Sequence, residues 1–224
     1  MSTSRCFLVV LFYLLATTAA AQDLRLPTER KSNAATPAEL LGTNEDGIGL
    51  RPGSTVPDFT TSSLGGRPVT WQSLLQRAPL LIVFYRGGWC PYCNAQIHAL
   101  SQAAAAFRQR GMTPVLISVD KVDGAALVKR SYEIPYPVLS DPGLAAHKAF
   151  QVVRDVDKKY QAYKEYGVDL EQWSGRKHHK IAYASVFVVD RRGVVRWAHA
   201  SSEFKTRPSN AQLLAVIDGL GDMR

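Results

Sequence analysis

LLIVFYRGGWCPYCNAQIH, residues 80–98, is the most informative stretch of the chain. Leu80 through Tyr85 form an apolar and aromatic run with the Ile, Val and Phe content of a buried strand. Arg86, Gly87 and Gly88 break that run, Trp89, Cys90, Pro91, Tyr92 and Cys93 follow, and a helical pattern begins. A strand that ends in a glycine turn and delivers two cysteines to the start of a helix predicts a redox site.

The chemistry follows from what a thiol needs. Cysteine reacts as its thiolate, which the unsatisfied N–H groups and the positive dipole end at a helix N-terminus favour. Cys90 stands at that terminus and Cys93 one turn further on, close enough to form a disulfide. Pro91 fits the first turn, where its missing N–H costs nothing. By position alone Cys90 is expected to be the more acidic thiol. Two rival uses of the pair fit less well. Zinc needs two further ligands, and His178 and His179 are adjacent rather than spaced by three to five residues. Haem attachment needs a His after the second cysteine, where this chain has Asn94.

Further from the site, the remaining segments read as a scaffold. Upstream, residues 53–59 open the domain, residues 64–69 (LGGRPV) predict a hairpin turn, and residues 71–77 a short helix. Downstream, Ile97, Leu100, Ala103, Ala104 and Phe107 recur at helical spacing over residues 92–110, ending at Gly111. Residues 113–119 predict a second buried strand, 124–132 a helix, 137–139 a short edge strand, and 143–150 another helix. Strands alternating with helices imply βαβ units around a parallel core. Residues 154–183 form an insertion in which Val156, Tyr160, Tyr163, Leu170 and Trp173 give a helical face expected to pack rather than bind a cofactor. Residues 185–189 and 194–198, joined by Asp190-Arg191-Arg192-Gly193, predict an antiparallel hairpin, and residues 208–220 a closing helix with Ser209 or Asn210 near its cap.

The first residues carry a different signal. Met1 to Arg5 holds one positive charge, residues 6–15 are almost wholly apolar, and Ala19-Ala20-Ala21 offers small residues for cleavage. This is the pattern of a secretory signal peptide over residues 1–21, with cleavage near Ala21 and export to the periplasm or medium. The apolar run is shorter than the roughly 20 residues that span a bilayer, so no stable membrane anchor is expected. Residues 22–49 read as a polar leader arm with a short helix at 37–41, and residues 50–224 as one domain.

Composition bounds the function classes. The full chain has 27 Lys and Arg against 19 Asp and Glu, a net charge of +8, and loss of Arg5 with the leader takes one charge. The basic residues are dispersed, and without a clustered face or a known motif no nucleic-acid partner is expected. Of three cysteines, Cys6 leaves with the signal peptide. Cys90 and Cys93 close too small a loop to stabilise the fold as a cross-link, so reversible redox chemistry explains them better.

Several motifs together carry a family resemblance over about residues 50–220. Trp89-Cys90-Pro91-Tyr92-Cys93 after a strand resembles a thioredoxin-superfamily site. Val56-Pro57-Asp58-Phe59 resembles the opening of the alkyl hydroperoxide reductase and thiol-specific antioxidant family, the peroxiredoxins. Residues 84–93 resemble a peroxiredoxin-like subgroup with Cys-x-x-Cys, and residues 138–142 and 186–193 resemble later family landmarks. The resemblance implies an α/β thioredoxin fold: a central mixed sheet flanked by helices, a peroxiredoxin-like N-terminal extension, and a helical insertion before the last hairpin.

It also implies an antioxidant oxidoreductase that needs no organic cofactor or metal, only a thiol reductant, and that could form a homodimer. In the family's Pro-x-x-x-Thr-x-x-Cys pattern, Arg86 stands in the Pro place, Cys90 in the Thr place and Cys93 in the peroxide-attacking place. The family's helper Arg falls near Ala184, which leaves Arg86, or second Arg176, to supply that charge. Thioredoxins place a proline there too, and Ala184 departs from that pattern as well.

Two mechanisms follow. Either Cys93 attacks a hydroperoxide and Cys90 resolves it, or Cys90 attacks a protein disulfide and Cys93 releases it. Trp89, Pro91, Tyr92 and Arg86 are the expected supporting residues. A non-catalytic binding or chaperone module is a third reading, disfavoured by the intact cysteine pair.

Overall fold

The computed structural model describes residues 23–76 and 78–223. The predicted signal peptide, residues 1–21, lies outside the described residues. Among the described residues no helix is long and apolar enough to cross a membrane.

The first half of the domain builds around the expected core strand. In chain order come β1 (Ala34–Ala35), β2 (Thr60–Ser62), β3 (Pro68–Thr70), α1 (Trp71–Leu75) and β4 (Leu80–Phe84). They are followed by α2 (Pro91–Gln102), α3 (Ala104–Gln109), β5 (Thr113–Ser118), α4 (Val122–Ser131), β6 (Val138–Ser140) and α5 (Ala145–Ala149). The chain ends with β7 (Val153–Asp155), α6 (Tyr160–Glu165), α7 (Leu170–Ser174), β8 (Lys180–Ala182), β9 (Ala184–Val189), β10 (Val195–Ser201), β11 (Thr206–Arg207) and α8 (Asn210–Gly219).

Seven strands make one mixed sheet in the order β10-β9-β4-β5-β6-β2-β3. β4, β5 and β6 pair in parallel, while β9 pairs antiparallel with β4 and β10 with β9 on one side, and β2 with β6 and β3 with β2 on the other. This is the α/β thioredoxin fold that the motifs imply. β4 is buried along its whole length, and its period-2 alternation divides the core. Leu81, Val83 and Tyr85 pack in the cluster that holds Cys90 and Cys93, whereas Leu80, Ile82 and Phe84 pack in the opposite cluster. α2 lies on the first of these faces, which is how the strand, the turn and the helix meet at the cysteines.

Three expectations change. The helix expected over residues 92–110 breaks at Ala103 into α2 and α3. The strand expected at an edge near 137–139 is internal: β6 sits between β5 and β2, because the β2–β3 hairpin adds beyond it. The insertion is two short helices, α6 and α7, separated by Gly167 at φ +75° and framed by the antiparallel pair β7 and β8. The leader arm contains a short 3-10 turn at Ala38–Leu40, and its β1 pairs in parallel with β11, Ala34 opposite Thr206 and Ala35 opposite Arg207.

Candidate active site

β4 ends where its last in-register neighbour stops, with the Tyr85 N–H donating to Ile117 O at 3.1 Å. The chain then turns through Gly87 and Gly88. Gly87 has φ +149°, and a Cβ there would collide with the Trp89 indole; a Cβ on Gly88 would lie 2.6 Å from Val128 Cγ2 and 2.8 Å from Trp173 Cζ3. Only glycine fits so close to neighbouring side chains. The turn is held from three sides. The Gly88 N–H donates to Asp120 Oδ2 at 2.9 Å, Asn94 Nδ2 donates to Gly88 O at 2.8 Å, and the Cys90 N–H donates to Gly87 O at 3.0 Å.

Cys90 is the N-cap of α2, in extended backbone at φ −91° and ψ 110°, and Pro91 is the first helical residue. Cys93 lies in the first turn. Both cysteines are free thiols and both are closed off from solvent, at 0% and 1% exposure. Two guanidinium groups reach them. Arg86 Nη1 donates to Cys90 Sγ at 3.6 Å, and Arg207 Nη2 donates to Cys93 Sγ at 3.8 Å. Among the described residues neither arginine has a carboxylate partner: Arg86 Nη2 donates to Tyr163 Oη at 2.8 Å, and Arg207 Nη1 donates to the carbonyls of Glu203 and Thr206. Rings surround Arg86 instead, with its guanidinium carbon 3.9 Å from the Phe204 centroid, 4.8 Å from Trp89 and 5.9 Å from Tyr163. Tyr92 packs edge-on against Phe204 at 5.6 Å and extends this aromatic rim.

The surroundings separate the two thiols electrostatically. Burial pushes Cys93 up, but the hydrogen bond from Cys90 and the charges of Arg207 and Arg86 overcome it and hold Cys93 at about 5. Cys90 goes the other way: burial, then its hydrogen bond to Cys93 and the charge there, raise it well above an ordinary thiol, with Arg86 opposing. Beneath the turn, Asp120 is fully buried. Burial pushes its carboxyl up to about 7 against the hydrogen bonds from Gly88 and Ser118, and the Cys93 charge adds to the rise. The arrangement can hold one thiolate, at Cys93, beside a protonated thiol donor at Cys90.

The comparisons with known proteins fit this geometry. A family model described as the AhpC/TSA family matches residues 52–198. This chain belongs to that family, the peroxiredoxins. Membership makes it a thiol-based antioxidant oxidoreductase. It is 29% identical over 142 residues to peroxiredoxin Q of Sedum lineare, covering 63% of this chain and 76% of that protein. To peroxiredoxin Q of Triticum aestivum it is 24% identical over 206 residues, covering 92% and 84%. In fold it is similar to the peroxidoxin BcpB of Mycobacterium tuberculosis, with a TM-score of 0.60 at 22% identity over 77% of this chain and 97% of that one. It is likewise similar to reduced Prx3 of Vibrio vulnificus in complex with hydrogen peroxide, with a TM-score of 0.61 at 14% identity over 75% and 99%.

The expected site of this peroxiredoxin divides clearly. Cys90, Cys93, Arg86, Trp89, Pro91 and Tyr92 come together as the motif implies. Arg176 does not join them; it lines a separate cleft with Thr60 and Asp141. Arg86, the first substitute expected for the family's helper charge, does lie at the thiols, and Arg207 on β11 adds a second guanidinium at Cys93. No local signal marks Arg207, because it lies 114 residues from Cys93, on a strand that pairs with the leader arm. Tyr163, expected as packing, is a hydrogen-bond partner of Arg86. Asp120 had the one readable clue: it ends the strand parallel to β4, where side chains of α/β sheets converge on a site.

Proposed function

We propose that this peroxiredoxin reduces small hydroperoxides with Cys93 as the attacking thiolate and Cys90 as the resolving thiol. Cys93 Sγ attacks the outer peroxide oxygen, the O–O bond breaks, and the departing oxygen takes a proton to leave as water or an alcohol. Cys93 is then a sulfenic acid. Cys90 Sγ displaces its hydroxyl as water, forming a Cys90–Cys93 disulfide, and two electrons and two protons from a thiol reductant restore both thiols.

The observation that carries this reading is the asymmetry of the two thiols. Arg207 and Arg86 stabilise negative charge on Cys93, while Cys90 is held protonated as a hydrogen-bond donor. Disulfide exchange led by Cys90 would need the opposite assignment. The near-complete burial of both sulfurs also favours a small oxidant over a folded protein disulfide. With the leader peptide of residues 1–21, the reading extends to an exported enzyme acting on peroxides outside the cytoplasm.

The test is hydroperoxide consumption by purified protein with dithiothreitol, for wild type, Cys90→Ser and Cys93→Ser. Cys93→Ser is expected to be inactive, and Cys90→Ser, treated with one equivalent of peroxide in the absence of dithiothreitol, to hold a sulfenic acid on Cys93. Sulfenic acid on Cys90, or a wild type that reduces insulin disulfides but consumes peroxide no faster than buffer, would overturn the proposal.

A further inference from the structure

Both sulfurs are closed to solvent, at 0% and 1% exposure, so no oxidant reaches Cys93 unless a wall of the site moves. Four aromatic side chains stand around Arg86 and the cysteines: Trp89, Tyr92, Tyr163 and Phe204. Three of them are held firmly. Trp89 is part of the buried cluster that contains both thiols, and Tyr92 and Tyr163 pack against it. The Tyr163 hydroxyl also accepts from Arg86, and the Tyr92 carbonyl accepts from Asn33 Nδ2.

Phe204 differs. It is half-buried and packs with neither of the two buried clusters. Its ring contacts are with the site itself, 3.9 Å from the Arg86 guanidinium carbon and 5.6 Å from the Tyr92 centroid at 76°. Arg86 Nη1 in turn lies 3.6 Å from Cys90 Sγ. Burial rises along the same line, from the half-buried ring to Arg86 at 7% exposure and Cys90 at 0%. Phe204 is therefore the outer layer over the guanidinium that flanks the thiols.

The backbone lets that layer move. Phe204 lies on the connection between β10 and β11, which is pinned at both ends. The Ser202 N–H donates to Glu45 Oε2 at 2.7 Å, Ser202 O accepts from Arg154 Nη1 at 3.0 Å, and Lys205 O accepts from the Ala34 N–H at 3.2 Å. Only Glu203 and Phe204 remain between the pins. Glu203 is held by a bond from its N–H to Ser201 Oγ at 3.0 Å and a long one from Arg207 Nη1 to its carbonyl at 3.4 Å. Among the described residues no hydrogen bond holds the Phe204 N–H or carbonyl. What keeps the ring in place is one cation–π and one ring–ring contact, both individually weak.

We propose that Phe204 is the gate of this site and the residue that sets which hydroperoxides reach Cys93. With the ring on Arg86 the thiols are closed; with the ring turned away, Arg86 and the sulfurs beside it open to solvent. A small oxidant needs a partial opening, whereas an oxidant with an apolar body needs the space that the ring occupies. Selectivity for hydrogen peroxide over an aryl hydroperoxide thus resides in one side chain. That selectivity rests on the peroxidase reading; the gating of the thiols does not.

The first measurement is kcat/KM for hydrogen peroxide and for cumene hydroperoxide, with dithiothreitol as reductant. Wild type is expected to favour hydrogen peroxide. Phe204→Ala should raise kcat/KM for cumene hydroperoxide about tenfold relative to hydrogen peroxide, the scale of the two contacts that close the gate. Phe204→Leu should do so by less, and Phe204→Trp should shift the ratio the other way. A change in the charge on Cys93 alters both oxidants alike, so the ratio reports access alone.

The second measurement needs no peroxidase activity. In the Cys90→Ser background, Phe204→Ala should speed labelling of Cys93 by N-pyrenylmaleimide about tenfold more than labelling by the smaller iodoacetamide. Equal effects on the two reagents overturn the gate. Size-dependent labelling with an unchanged peroxide ratio overturns the specificity assignment. If Phe204→Ala does not fold, Phe204→Leu decides both. Size-dependent labelling in a protein that consumes no peroxide would sink the peroxidase reading and leave the gate standing.

Discussion

At Cys93, desolvation pulls against the thiolate, and the hydrogen bond from Cys90 together with two buried arginines decides the outcome in its favour. Alkylation of Cys93 in Cys90→Ser by iodoacetamide is therefore expected to be nearly independent of pH from about 6.5 to 8 and to fall as pH drops through about 5. Arg207→Met should move that midpoint up by about 1 to 2 units, and Arg207→Lys by less, because a point charge is kept while the fork is lost. A midpoint unmoved by Arg207→Met would contradict the assignment of the helper charge. Asp120 acts with the opposite sign. Its carboxyl is raised to about 7, so its contribution to stability is present below an ordinary carboxylate's range and is lost as pH rises through 7. Cys93 is depressed, so its contribution is present above the ordinary thiol value and is lost as pH falls through about 5. Asp120→Asn, which keeps an oxygen for the Gly88 N–H, should stabilise the protein at pH 8 by on the order of 2 kcal/mol. It should leave stability at pH 4 nearly unchanged. Urea denaturation at the two pH values checks both.

The element that matters most is the turn between β4 and α2. It must reverse a buried strand into a helix within a few residues while Val128 and Trp173 press against Gly88. Gly88→Ala puts a methyl group into that contact, and overpacking of this kind costs about 1–3 kcal/mol. Because the same turn sets the N-cap at Cys90, the variant should also slow Cys93 alkylation at pH 7. Denaturation and alkylation measured on one preparation separate a loss of stability from a loss of geometry; a variant as stable and as reactive as wild type would mean that the turn tolerates the methyl. The insertion shows the same economy at a second element. α6 brings Tyr163 to Arg86, so a segment that reads as packing also fixes the charge beside Cys90.

Across the whole molecule, the leader arm joins regions far apart in sequence. The Lys31 N–H donates to Pro91 O at 3.3 Å, Asn33 Nδ2 donates to Tyr92 O at 2.9 Å, and β1 pairs with the strand that carries Arg207. The arm thus holds both the first turn of α2 and the arginine of β11 in place. Removing residues 23–36 should lower the melting temperature and, by loosening Arg207, raise the Cys93 titration midpoint. Thermal melting and thiolate absorbance on the truncated chain measure these together. A lower melting temperature with an unmoved midpoint would restrict the arm to a purely structural role.

Much of this molecule is local in origin and could be read in order. The apolar run of β4, the glycines that end it, Pro91 at the first helical position and the Asp-x-x-Gly hairpin each express a preference within a few residues. They placed Cys90 and Cys93 at a helix start on a mixed sheet. Helix position alone, however, favours Cys90 as the acidic thiol, and the folded chain reverses that order. The reversal combines the local hydrogen bond between the two thiols with groups that only folding assembles, above all Arg207, which lies 114 residues from Cys93. Sequence determined where the two sulfurs stand, because backbone preferences are short-ranged. The family pattern in the sequence pointed to Cys93, but only the tertiary structure supplied the burial and the Arg207 charge that bear on it, because burial and Coulomb interactions depend on distance in space rather than separation along the chain.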